Sequence, residues 1–99
     1  MFARIITSQV KVSHIATAVS IWQKSTSEDL KPMNGFKSIY LNVDQTTGKW
    51  VVVSFWETEA DAKAVSSSGK YQKILEALED CFEEGAPRHL EILEVLAQV

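Results

Sequence analysis

From Phe2 to Val10 the chain is dominated by Ile, Val, Thr and Phe, a β-branched and aromatic run of strand length. The period then lengthens: Ile15, Ala18, Val19 and Trp22 recur at helical spacing, with Gln23, Lys24 and Glu28 on the other side. Ser13 stands where an N-cap belongs. The polar run Ser25-Thr26-Ser27 predicts a break in this helix, followed by a short turn through Glu28, Asp29 and Leu30. That turn should stop near Pro32, because the residue before a proline is pushed out of the α region. Asn34-Gly35 then reverses the chain.

Phe36 to Asp44 alternates with a period of two, Phe36, Ser38, Tyr40 and Asn42 on one face and Lys37, Ile39, Leu41 and Val43 on the other. Asp44 to Lys49 reads as a hairpin connection whose Gly48 can take a positive φ, and Trp50 to Trp56 follows as a second strand of the pair. Thr58-Glu59-Ala60-Asp61 has the form of a capping box with Asp in place of Glu, so a helix should start at once and run to about Val65. Ser66-Ser67-Ser68-Gly69 interrupts it. Tyr71, Ile74, Leu75, Leu78 and Phe82 then form an apolar stripe predicting one long helix, ended by Glu83-Glu84-Gly85-Ala86-Pro87. Arg88 to Val99 closes the chain as an alternating strand.

The order β-α-β-β-α-β is that of the ferredoxin-like α+β fold, in which right-handed crossovers set both helices on one face of a four-stranded antiparallel sheet. The other face should then be wet and polar. Instead Val51, Val53 and Phe55 oppose Trp50, Val52 and Trp56, so both faces are apolar and the second needs a cover. A second copy of the chain, sheet against sheet in a homodimer, is the simplest cover.

Composition narrows the partners. The 99 residues fit a single domain spanning 1–99, and 45% hydrophobic with 23% charged residues is a globular mix. A net charge of -3, with Lys and Arg scattered, offers no basic stripe for nucleic acid. The longest apolar run, Trp50 to Val53, is far too short to cross a membrane. The first residues lack the pattern of a signal peptide and Cys81 has no partner for a disulfide, so a cytoplasmic protein is the expectation.

Candidate chemistry is sparse. His14 beside the helix start and His89 at the last strand read as exposed side chains, and with one Cys inside a helix they lack the converging spacing of a metal site. No metal or cofactor is expected. There is no G-x-S-x-G elbow and no glycine-rich phosphate loop, and the acidic run Glu76, Glu79, Asp80, Glu83 and Glu84 reads as the solvated side of a helix. Trp56 alone reads as an aromatic packed at a strand end. Tyr71 opens the apolar stripe, so its ring should be buried and its hydroxyl should find a partner.

Three segments resemble the antibiotic biosynthesis monooxygenase family of the dimeric α/β-barrel superfamily. They are Gly35-Phe36-Lys37-Ser38-Ile39-Tyr40, the Asp44 to Gly48 hairpin, and Val53-Ser54-Phe55-Trp56-Glu57-Thr58-Glu59-Ala60-Asp61-Ala62; Gly69-Lys70-Tyr71 is a further match. The resemblance implies a substrate cleft between sheet and helices in each protomer of a dimer. It implies that Trp56 lines that cleft, with Tyr71 near it on the facing helix. Trp22 is a further candidate for substrate contact, and Tyr40 and Asn42 are candidates if the strand face they share with Phe36 and Ser38 points at the helices. The haem-degrading branch also uses an Asn on the first strand and a His on the second helix. Here the first strand reads Arg4-Ile5-Ile6-Thr7-Ser8 and Tyr71 to Leu78 contains no His.

Two functions are in view, the first as the resemblance implies and the second as its rival from a different class. One is a cofactor-independent monooxygenase-like domain acting on an aromatic or polycyclic small molecule; no residue stands out as its general base, so the catalytic residues are unknown. The other is a non-catalytic dimeric module for ligand binding or interaction. A cavity with converging polar groups favours the first, and a cleft packed by Trp22, Trp56 and Phe82 favours the second.

Overall fold

Strand pairing follows the alternation read above. In the computed structural model, which describes residues 1–99, β1 (Phe2–Gln9), β2 (Phe36–Val43), β3 (Lys49–Trp56) and β4 (His89–Glu94) form one sheet in the order β2-β3-β1-β4. Every neighbouring pair is antiparallel, with Ile5 opposite Val53, Arg4 opposite Ile92 and Tyr40 opposite Val53. Helix α1 (Ile15–Asp29) crosses from β1 to β2, and α2 (Glu59–Ser67) and α3 (Lys70–Leu78) cross from β3 to β4. This is the ferredoxin-like arrangement.

The side chains that alternate toward the helices are Arg4, Ile6, Ser8 and Val10 from β1 and the residue after it, and Trp50, Val52, Ser54 and Trp56 from β3; all eight are buried. Trp56 is 0% exposed. Its ring meets Phe36 edge to face at 5.6 Å, and Trp50 meets Phe82 likewise at 5.7 Å, the geometry aromatic quadrupoles favour. Burying large aromatic side chains of this kind contributes roughly 1.5–3 kcal/mol each, so this inner layer fixes the sheet against the helices.

Local chemistry accounts for the element starts. Thr58 Oγ1 accepts the Asp61 N–H at 3.1 Å, capping α2; the Asp61 carboxylate accepts from Asn34 Nδ2 at 3.2 Å and does not close the box. Gly69, at φ 79°, sits between α2 and α3, a left-handed step that only glycine takes without strain.

Four expected boundaries move. Helix α1 does not break at Ser25-Thr26-Ser27; it runs unbroken to Asp29, with Thr26 buried, because packing outweighs the weak helix propensity of three hydroxyl residues. Ser13 does not cap it: Val12–His14 is a 3₁₀ turn, and Ser13 Oγ engages its neighbour His14 Nδ1 at 2.9 Å. Helix α3 ends at Leu78, and Glu79–Cys81 forms a 3₁₀ turn. Phe82 therefore enters the core from extended backbone bridged to Val10. Strand β4 stops at Glu94, short of Val99.

Candidate functional site

Between the sheet and the helices lies a narrow void of about 20 Å³. Its floor is Arg4, Ile6, Ser8, Trp50 and Val52, and its roof includes Trp22 and Leu30 with Tyr71, Ile74 and Leu78. A void of this size holds about one water molecule. Arg4 is the one charged side chain that lines it.

Arg4 is 2% exposed, yet it has no carboxylate partner. The ion pairs of the chain, Lys37 with Glu57, Lys63 with Glu59, Lys73 with Asp29 and His89 with Glu91, all lie elsewhere. One Arg4 terminal NH2 group donates to Ser66 Oγ at 3.1 Å, the guanidinium carbon stands 4.5 Å from the centre of the Tyr71 ring, and Nε has no partner. Ser8 Oγ, on the same void, is also buried and unpartnered. Two polar atoms thus stand unsatisfied in one otherwise apolar space, where each lost hydrogen bond costs about 1–3 kcal/mol.

Burial shapes both members of the Arg4 and Tyr71 pair. It pushes the tyrosine hydroxyl's pKa up, partly offset by Arg4 and Arg88, so at neutral pH Tyr71 is a neutral donor. Burial pulls the Arg4 pKa down from the ordinary guanidinium value, partly offset by Tyr71.

Outside the void, a groove of about 920 Å³ runs between α1 and the edge strand β2, lined mainly by Val12, Ile15, Val19, Trp22, Ile39, Leu41 and Val43. Trp22 and Ile39 line both spaces and form the wall between them. Of the side chains named from sequence, the structure brings Trp22 and Tyr71 together on the void. Trp56 is elsewhere in the core, its Nε1 donating to Ser54 Oγ at 2.9 Å. Tyr40 and Asn42 belong to the sheet face directed away from the helices; Tyr40 also borders the groove, and Asn42 Nδ2 donates to the Val51 carbonyl at 3.2 Å. His14 and His89 line neither space. Arg4, Ser8 and Ser66 were not singled out by the sequence reading, although an arginine at an alternating position inside an apolar strand is itself a signal.

The family model described as antibiotic biosynthesis monooxygenase matches residues 1–77. The chain belongs to the antibiotic biosynthesis monooxygenase family. The matched segment of this family member holds Arg4, Ser8, Trp22, Ser66 and Tyr71, so most of the void's wall lies within it. Solved structures share the fold. A proposed antibiotic biosynthesis monooxygenase from Nitrosomonas europaea is 18% identical with a TM-score of 0.77, covering 98% of this chain and 100% of that one. A protein so described from Deinococcus radiodurans is 11% identical with a TM-score of 0.77, covering 100% and 96%. A protein of unknown function from the same Nitrosomonas species is 14% identical at 0.76, covering 99% and 91%. No curated protein matches the chain. No helix of this family member is long and apolar enough to cross a membrane.

Proposed function

We propose that this chain is a cofactor-independent monooxygenase-like domain that takes an aromatic or polycyclic small molecule between its sheet and its helices, working as a homodimer. The observation that carries the reading is the apolar void with its unsatisfied polar atoms, walled from an open groove by Trp22 alone on the helix side and Ile39 on the sheet side. Ligand pockets have this composition, mostly hydrophobic with few placed polar groups. Family membership supports the reaction type.

In such a reaction the substrate supplies the electrons. A ring methylene and one O2 become a ring carbonyl and one H2O, so the protein must hold an electron-rich, ionised ring away from water. Trp22 and Trp50 offer faces for stacking, Tyr71 offers a neutral hydroxyl and Arg4 a fixed positive charge beside the ring. Fixed charge in a dry site stabilises developing negative charge more strongly than water does. Ligand entry requires Trp22 to swing into the groove, since the void alone is smaller than any ring.

The small volume of the void also favours a second reading, a dimeric module whose cleft stays packed. Oxygen uptake separates the two. With purified protein, chelator present and no flavin, anthrone should consume O2 above its autoxidation rate and yield one ring carbonyl and one H2O per O2. One-to-one binding without uptake supports the module, and neither binding nor uptake overturns the small-molecule site.

A further inference from the structure

Arg4 is the one charged group among the buried side chains that the packing leaves with an unpartnered polar atom. A guanidinium stays protonated in proteins and presents five N–H donors, and burying it without a counter-charge is costly. Here one terminal NH2 group is engaged by Ser66, Tyr71 covers one face as a cation–π partner, and Nε meets nothing. A ring quadrupole and a neutral hydroxyl offset only part of a buried charge, since cation–π contacts are worth about 0.5–2 kcal/mol.

Ser8 repeats the pattern at the other end of the void. It lies four residues further along β1 on the same face, roughly 13 Å away at the usual rise of a strand. Its hydroxyl is buried and unpartnered, and Ile6 between the two contributes apolar floor. A ligand that satisfies both atoms has an oxyanion at one end, two or three flat rings over Ile6, and a hydroxyl or carbonyl at the other.

We infer that Arg4 is the anchor of an aromatic oxyanion, and that it makes this cleft selective for ring systems carrying an ionised hydroxyl or a carboxylate. The inference rests on the aromatic cleft proposed above and adds the ligand's charge and direction: anion against Arg4 and Tyr71, far end against Ser8. A single water filling the void would satisfy Nε without any ligand, so charge preference is the decisive readout.

Calorimetric binding of matched pairs at neutral pH tests it: naphthoate against naphthamide, and hydroxynaphthoquinone, ionised under these conditions, against its neutral methyl ether. The expected result is at least tenfold tighter binding of the anion in one pair or both, which also tells carboxylate from ionised hydroxyl. That preference should vanish in Arg4→Gln, and the Arg4 Nε–H resonance should shift with the anion only. If Arg4→Gln does not fold, the resonance shift in the wild-type protein decides. Equal binding of anion and neutral isostere overturns the anchor but leaves the aromatic cleft standing. A preference that survives Arg4→Gln in folded protein overturns the anchor as well. Binding of no member of either pair overturns both.

Discussion

Tyr71 and Arg4 face one another across 4.5 Å, and burial drives their titrations in opposite directions. Tyr71's folded pKa lies above its unfolded value near about 10, so its contribution to stability is complete below that value and is lost as pH rises through the folded pKa. Arg4 has the opposite sign: its depressed pKa gives a contribution present above the unfolded value and lost as pH falls through the folded one. Tyr71 stays neutral through neutral pH, because burial moves its pKa further up. Urea unfolding of wild type and Tyr71→Phe should therefore show a constant difference across neutral pH that turns in favour of the phenylalanine variant above about pH 10. A difference that stays flat through the alkaline range means that Tyr71 ionises as freely as in the unfolded chain. At this scale much of the site was open to a reader of the sequence. Alternation alone puts Arg4, Ile6, Ser8 and Val10 on one face of β1. It does not say which face meets the helices, because Ala3 and Ile5 opposite are apolar as well. The same ambiguity left Tyr40 and Asn42 on the helix side as candidates, where Ile39 and Leu41 stand instead.

Elements were legible where a turn or a cap has its own chemistry. The β2–β3 hairpin is the clearest case. The Asp44 carboxylate accepts the N–H groups of Thr46 and Thr47 at 2.9 and 3.2 Å, and the Val10 N–H donates to the Gly48 carbonyl at 2.8 Å. Gly48 has φ 81°, and a Cβ there would run into the Val10 carbonyl oxygen, which is backbone and cannot step aside. Gly48→Ala should then cost about 1–3 kcal/mol, the strain of a left-handed non-glycine residue with a backbone clash added. The check is a lowered urea midpoint at unchanged m-value. A loss below about 0.5 kcal/mol would show that the turn rearranges at little cost. Helix ends were less legible. The Tyr71 to Leu78 stripe extends in register to Phe82, since four further residues return to the same helical face; the chain leaves the helix nonetheless, and Phe82 reaches the core by pairing with Val10. Periodicity marks which side chains are buried, and both a helix and an extended bridge can bury Phe82. In α1, Ser25-Thr26-Ser27 looked like a break because local propensity was the only term visible, whereas Thr26 is packed against the rest of the molecule.

At the scale of the whole molecule the outer sheet face is the feature left open. Register aligns Ser38, Phe55, Ala3 and Leu93 in one row, Tyr40, Val53, Ile5 and Glu91 in the next, and Asn42, Val51, Thr7 and His89 in the third. Tyr40 is 60% exposed and Leu93 53%, so two large apolar side chains of this face are in water in the single chain. The segment after β4 bends toward it: Val95 and Ala97 share a hollow with Tyr40 and Phe55, and Leu96 projects outward. A two-fold pairing of such faces buries each row against its own copy, and any substitution is then met twice. Val53→Lys sets two ammonium groups near the centre of the proposed interface, each of which must find water or a partner. The expectation is a folded monomer, with the mass by light scattering halved and the circular dichroism unchanged. Val52→Lys is the matching control, one residue along and directed at the helices, where Val52 is buried. It should unfold the chain without reporting on assembly. A Val53→Lys protein that keeps the wild-type mass at micromolar concentration would show that the outer face is not where two copies meet, and the apolar rows would then need a different cover.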